Sequence, residues 1–218
     1  MVFFSFTFLF YFLPITAALY FLVPGKYQNA VLLLCSLFFY AWGEPQQVPI
    51  MGISIVSAYA FGLLIEKYKE KKTGRMLCLL SVCVSLSFLL YFKYANFILI
   101  NFNRLIGREF SFIQVSLPIG ISFYTFQLIS YTVDVYRGES AQKNIVHLAV
   151  YITMFPQLIA GPIVRYADIA GQIGTDGTSG TGRRTSFAMA AWGIRYFVIG
   201  LAKKVLLADQ LAQLCSIF

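Results

Sequence analysis

Long apolar runs alternate with short polar breaks along most of the 218-residue chain. Runs of this length predict helices that cross a bilayer, because about 20 apolar residues in a helix span the hydrocarbon core. The pattern therefore predicts an all-α, polytopic transmembrane helix bundle that forms a single domain over residues 1–218. The predicted spans are 5–23, 27–42, 48–65, 76–92, 117–135, 145–160 and 187–207.

Two boundaries in this pattern need separate treatment. Residues 93–107 mix asparagines and basic residues with apolar ones, so they form either the end of a long fourth helix or a helix lying in the membrane interface. The sixth span is short for a full crossing and contains or precedes Pro156, Gly161 and Pro162. Broken backbone at membrane depth is tolerated only against protein or water, so the pattern predicts a re-entrant or broken helix there.

The fifth span carries a polar stripe. Tyr124, Gln127, Tyr131 and Asp134 follow one another at three- and four-residue spacing, which places them on one face of a helix. A polar stripe is expected to face the interior of a bundle, either as helix packing or as the lining of a cavity. Asp134 is also three residues from Arg137, and the simpler interpretation of these two is an ion pair at the helix end.

The composition agrees with a membrane location. Hydrophobic residues make up 59% of the chain and charged residues 12%, and soluble domains have about twice that charged fraction. The net charge of +8 does not indicate nucleic-acid binding, because the basic residues lie in short segments between apolar runs. The dense charge run 66–75 is expected to be a solvated cytoplasmic loop. No basic residue precedes Lys26. Because basic residues favour the cytoplasmic side of a membrane, the N-terminus is predicted to lie outside.

Metal chemistry has no support in the sequence. The four cysteines form no CxxC pair, and no ligand spacing typical of a metal site occurs. We therefore predict no metal site.

Several separate motifs, in order, resemble the membrane-bound O-acyltransferase family. LPIGISFYTFQLISYTVDVYRG (117–138) followed by FPQLIAGPIVRY (155–166) looks like the bacterial branch that acetylates alginate and other envelope polysaccharides. YFKYANF (91–97) and GLAKKVLLADQLA (200–212) fit the same branch. The resemblance covers nearly the whole chain and implies the N-terminal part of a longer enzyme in the bacterial inner membrane.

The resemblance implies transfer of acetyl groups from the cytoplasmic side to hydroxyls of an envelope polysaccharide such as alginate. It implies acetyl-CoA or another acetyl thioester or carrier as donor, no bound cofactor, and a periplasmic or extracellular acetyl-transfer partner protein. Two other functions stay open. One is a non-catalytic scaffold for a polysaccharide-modifying or export complex; the other is a transporter subunit, which predicts buried charge pairs and an inverted repeat.

The family's catalytic histidine lies in a tryptophan- and arginine-rich stretch after a helix rich in tyrosine and aspartate. Neither stretch occurs in this sequence, so we expect no catalytic residue here and an inactive chain in isolation. The single histidine, His147, occupies a variable position and has no nearby carboxylate to orient it. It is rejected as a base, and a capping or interfacial role is expected.

Six residues are candidates for a substrate path: Tyr124, Gln127, Tyr131, Asp134, Gln157 and Arg165. Relatives in this family often carry histidine where this chain has Gln157. Glutamine forms hydrogen bonds but takes no proton at neutral pH, so a contact rather than a base is expected. Arg165 follows the predicted helix break and either binds an anion, such as the carboxylate of an acidic sugar, or anchors the chain at the interface.

Overall fold

The computed structural model describes residues 5–106, 116–158, 161, 164–173 and 186–215. Every regular element in these ranges is a helix, which confirms the predicted all-α class. The first half contains a π-helical segment (Phe8–Phe12), α1 (Leu13–Leu22), α2 (Gly25–Gly43), a 3-10 turn (Pro45–Gln47), α3 (Val48–Tyr68) and α4 (Lys72–Ile106). The second half contains α5 (Ile121–Arg137), α6 (Ile145–Thr153), α7 (Phe155–Leu158), α8 (Tyr166–Ile173), α9 (Phe187–Lys203), a π-helical segment (Lys204–Ala208) and α10 (Asp209–Cys215).

The helix α4 is longer than predicted. It has 35 residues, which at 1.5 Å per residue is about 52 Å. Of the two alternatives for residues 93–107, the structure therefore shows the end of one long helix, as far as Ile106. The expected loop over 66–75 is also mostly helical, and only residues 69–71 form a turn between α3 and α4. Lysine, glutamate and arginine are good helix formers, so a charge run does not by itself mark a loop.

The outer surface of the bundle is suited to contact with a membrane. Pro45–Tyr68 and Lys72–Leu105 are long and apolar enough to cross a membrane. Large apolar side chains, including Phe21, Leu34 and Phe97, are exposed. Such side chains suit lipid contact better than contact with water.

The core lies among α3, α4, α5, α6 and α8. Met51, Ile65, Tyr131 and Leu148 are fully buried there. A second, aromatic cluster joins the N-terminal helix to α2 and α7: Phe8, Phe12, Phe39 and Phe155 pack with ring centroids 5.2–6.0 Å apart. The segment Phe8–Phe12 thus packs against α7, the short helix that follows α6.

The sixth predicted span is broken. α6 ends at Thr153, and Met154 leaves helical geometry with φ −50° and ψ 114° before α7 forms a single turn. The backbone N–H of Phe155, which the break releases from the helix, donates to Ser36 Oγ of α2 at 3.3 Å. A released backbone group at membrane depth needs such a partner. Pro162 lies outside the described residues.

Two helical segments were not predicted. α8 follows the break, in a stretch between two predicted spans, and it is too short at eight residues to show a clear period. Helical structure after Phe187 also continues beyond the predicted end at 207, as far as Cys215. No residue of α9 is buried.

Candidate functional site

The polar stripe of α5 faces the interior of the bundle. Tyr124, Gln127, Tyr131 and Asp134 are all buried, and Phe126 on the opposite side is exposed. The helix begins after Gly120, whose φ of +77° lies in the left-handed region that favours glycine. The carbonyl oxygen of Leu158, at the end of α7, occupies the space that a Cβ at Gly120 would need. α5 therefore begins directly against the segment that follows the helix break.

Two of the six candidate residues meet across the break. Gln127 Nε2 donates a hydrogen bond to Gln157 Oε1 at 3.0 Å. Gln127 is 2% exposed, whereas Gln157 is partly exposed and lies 3.8 Å, at its Nε2, from Met154 Sδ. The pair therefore joins the buried middle of α5 to the edge of the bundle, and it consists of two neutral amides that can bind but cannot act as a base.

Gln157 also lines a cavity of about 440 Å³ between α1, α2, the break and α8. Its walls are mainly apolar, with Leu13, Phe21 and Phe155 among them. Its polar lining residues are Thr16, Tyr20, Gln157 and Gln172. The arrangement suits a ligand that is largely apolar and carries a group able to hydrogen-bond at one end.

Tyr131 has a structural environment. Its hydroxyl accepts a hydrogen bond from Gln142 N at 3.2 Å, and its ring packs against the backbone of Gly62 and edge-on to Tyr166 with centroids 4.8 Å apart. The contact with Gln142 holds the segment between α5 and α6. Of the two predictions for this residue, these contacts favour helix packing over cavity lining.

The segment between α5 and α6 is fixed by several other polar contacts. Glu66 Oε1 accepts from Ala141 N at 3.0 Å, and Tyr59 Oη donates to Lys143 O at 2.7 Å. Tyr166 Oη donates to Ser140 O at 3.3 Å. Burial and the nearby carboxylates of Glu139 and Glu66 raise the pKa of Tyr166 to about 12, so this hydroxyl stays protonated and remains a donor at neutral pH.

Asp134 does not form the ion pair that its spacing from Arg137 indicated. Its Oδ2 accepts hydrogen bonds from Ser130 Oγ and from Ala167 N, both at 3.3 Å, and no ion pair forms between these two described residues. The backbone contact ties the end of α5 to the start of α8. The ion-pair prediction is wrong because α8 supplies a partner that the sequence pattern did not show.

Arg165 and His147 are the two remaining residues considered for chemistry. Neither belongs to the Gln127–Gln157 pair, and they differ in exposure. Arg165 is exposed on the connection that leads into α8. His147 is buried in the first turn of α6, which Asn144 caps by accepting a hydrogen bond from Val146 N at 2.9 Å. The capping role belongs to Asn144, and the interfacial alternative for His147 stays a prediction.

Among the described residues, no three side chains of the types His, Cys, Asp and Glu are grouped to hold a metal ion. The sequence reasoning also missed residues that shape this region: Tyr40, Tyr59, Glu66 and Tyr151. Tyr151 Oη donates to Val164 O at 2.9 Å and so supports the connection after the break. The tyrosines were missed because the sequence alone does not distinguish a buried tyrosine in an apolar run from one that faces lipid.

Comparison with known proteins gives close relatives over nearly the whole chain. The chain is 40% identical over 223 residues to a protein of Azotobacter vinelandii named probable alginate O-acetylase AlgI, a match that covers 99% of this chain and 43% of that protein. A protein of the same name from Pseudomonas aeruginosa is 39% identical over 222 residues, covering 99% and 41%. The predicted resemblance is confirmed: over nearly its whole length, this chain is similar to proteins named probable alginate O-acetylase.

A relative with lower identity to this chain has another acceptor in its name. A Helicobacter pylori protein named peptidoglycan O-acetyltransferase is 30% identical over 236 residues, covering 94% of this chain and 44% of that protein. The chain thus spans a little over two fifths of the length of these three relatives. No protein-family model and no solved structure matches it.

Proposed function

We propose that this chain forms part of a membrane-embedded O-acetyltransferase that moves acetyl groups onto hydroxyls of an envelope polysaccharide. The observation that carries the proposal is the identity of 39–40% to two probable alginate O-acetylases over 99% of the chain. The helical bundle, with two helices suited to crossing a membrane, supports the same setting. We place the protein in the bacterial inner membrane with its N-terminus outside.

The substrate path that we propose runs past the break between α6 and α7. Gln157 lines the 440 Å³ cavity and is held by Gln127, so its amide is fixed in position. A preorganised amide can donate to or accept from a ligand without losing much conformational freedom on binding. We assign Gln157 to substrate contact and Gln127 to positioning it.

The other candidates have smaller parts in this proposal. Tyr124 lies one turn before Gln127 on the same buried face, and Tyr131 and Asp134 stabilise the neighbouring segments. Arg165 is exposed and keeps the proposed role of binding an anionic group of the acceptor. We place no general base among these side chains, because the site residues that meet are neutral amides and His147 lies in the first turn of α6.

The donor that we propose is acetyl-CoA or another acetyl thioester presented from the cytoplasmic side. Acetyl transfer breaks the thioester C–S bond and forms an oxygen ester; a base takes the hydroxyl proton, and the donor leaves as a thiolate that is then protonated to the free thiol. A polysaccharide of the alginate type is favoured as acceptor, because the alginate relatives are more similar than the peptidoglycan relative. A partner protein outside the membrane would carry the acetyl group onward.

The test is acetyl transfer in membranes of cells that express the protein from its own reading frame, with radiolabelled acetyl donor and polysaccharide acceptor. We expect label in the polysaccharide, lost when the gene is deleted and restored by the intact gene. Transport of a solute without acetyl transfer would favour a transporter subunit. Co-purification with an active acetyltransferase, without activity of its own, would favour a scaffold.

A further inference from the structure

Of the five buried polar side-chain atoms that have no hydrogen-bond partner among the described residues, three lie on α2 and α5. They are Tyr40 Oη, Tyr124 Oη and Gln127 Oε1. Their side chains are 3%, 1% and 2% exposed, so bulk solvent does not reach them. A buried hydroxyl or amide oxygen without a partner costs free energy, and native proteins rarely leave one in that state.

The three atoms lie in one region. Tyr124 and Gln127 are one turn apart on the same buried face of α5. Tyr40 of α2 and Tyr124 of α5 belong to the same cluster of buried core residues, and no hydrogen bond joins their hydroxyls. Gln127 Nε2 is engaged by Gln157, which turns the other end of the Gln127 amide, Oε1, towards the interior.

We propose that Tyr40, Tyr124 and Gln127 form an internal water site that joins α2 to α5. Buried waters typically make two to four hydrogen bonds to polar groups that would otherwise be unpaired. Each tyrosine hydroxyl can donate to the water and accept from it, and Gln127 Oε1 accepts. Such a water joins two helices between which these side chains form no direct hydrogen bond. The water binds at this site whether or not the chain takes part in acyl transfer.

Removal of single hydroxyls tests the site. Tyr40→Phe and Tyr124→Phe keep the ring and delete one oxygen, and thermal unfolding of the full chain in detergent measures the result. If water occupies the site, each variant loses hydrogen bonds, and we expect the midpoint to fall by about 2–4 °C. Because either change empties the shared site, the double variant should fall by clearly less than the sum of the single shifts.

Two matched variants calibrate the shifts. Tyr151→Phe deletes a buried hydroxyl with a direct partner, Val164 O, so its effect should add to that of Tyr124→Phe. Tyr11→Phe deletes an exposed hydroxyl and should leave the midpoint unchanged. If Tyr40→Phe and Tyr124→Phe raise the midpoint or leave it unchanged, the hydroxyls are unpaired and the water site is overturned.

A measurement on the unaltered chain covers the case in which a variant does not fold. Radiolysis by X-rays converts bound water to hydroxyl radicals that oxidise the side chains beside it, and mass spectrometry locates the product. We expect Tyr40 and Tyr124 to be labelled despite their burial, while Tyr131, equally buried but bonded to Gln142 N, stays unlabelled. Equal absence of label at all three tyrosines would overturn the proposal.

Discussion

Gln127 Nε2 donates to Gln157 Oε1 at 3.0 Å, and this bond links the middle of α5 to the single helical turn after the break. The amide pair is therefore a polar connection at the point where the proposed substrate path leaves the core. Its consequences for stability and activity are separable by experiment.

The first prediction concerns this pair. Gln157→Leu leaves the buried Nε2 of Gln127 without its acceptor, which should destabilise the chain by about 1–3 kcal/mol. The double variant Gln127→Leu/Gln157→Leu removes both partners and should recover part of that loss. Chemical unfolding in detergent measures a double-mutant cycle. A coupling energy near zero would show that the hydrogen bond contributes nothing.

The second prediction concerns Gly62, where α3 meets the ring of Tyr131. A Cβ at this position would lie 2.7 Å from two ring carbons of Tyr131, which is fully buried and has no room to shift. We expect Gly62→Ala to destabilise the chain by about 1–3 kcal/mol through overpacking.

Gly52→Ala is the matched control on the same helix. A Cβ at Gly52 meets nothing within 4 Å, so the gain in helix propensity should stabilise the chain by about 0.5–1 kcal/mol. Thermal unfolding of both variants gives the comparison. Similar shifts of the same sign would mean that the ring of Tyr131 does not pack as described.

The third prediction concerns Gly120 at the start of α5. Gly120→Ala places a side chain at φ +77° and directs its Cβ at the carbonyl oxygen of Leu158. The left-handed conformation alone costs about 1–2 kcal/mol for a residue with a Cβ. We expect a fall in the unfolding midpoint, whereas Gly171→Ala, in open space on α8, should cause little change. Equal midpoints for the two variants would contradict the close approach of α5 to α7.

The fourth prediction concerns the segment between α5 and α6. Glu66→Ala removes the acceptor for Ala141 N, so the nearby peptide bond after Lys143 should become more accessible to trypsin. Glu70→Ala changes an exposed glutamate in the turn after α3 and serves as the control. Limited proteolysis followed by mass spectrometry measures cleavage at Lys143. Unchanged cleavage in Glu66→Ala would show that Glu66 does not hold this segment.

The sequence predicted the features that depend on local periodicity. The three- and four-residue spacing of Tyr124, Gln127 and Tyr131 was enough to expect a buried stripe, because a helix has only one face towards the core. Proline and glycine around Pro156 were enough to expect a broken helix. Both depend on residues close together in the chain.

Features that depend on distant residues were not predictable in the same way. One partner of Asp134 is a backbone N–H in α8, 33 positions away, which the local spacing to Arg137 did not show. The burial of Tyr40 depends on how α2 packs, which no local pattern shows. The Gln127–Gln157 bond likewise needs the chain to turn back after α6.

The measurement that tests the central claim most directly is the O-acetyl content of the envelope polysaccharide in a deletion strain complemented with variants of equal membrane abundance. We expect Gln157→Leu to lower acetylation by about tenfold or more, since loss of one positioned hydrogen bond of about 1.4 kcal/mol in the transition state corresponds to a factor of ten. Gln157→His should retain activity, because an imidazole nitrogen can accept from Gln127. Gln46→Leu, an exposed glutamine elsewhere, should match the unaltered protein. Normal acetylation in Gln157→Leu would contradict the proposed substrate contact, and normal acetylation in the deletion strain would contradict the proposed enzyme.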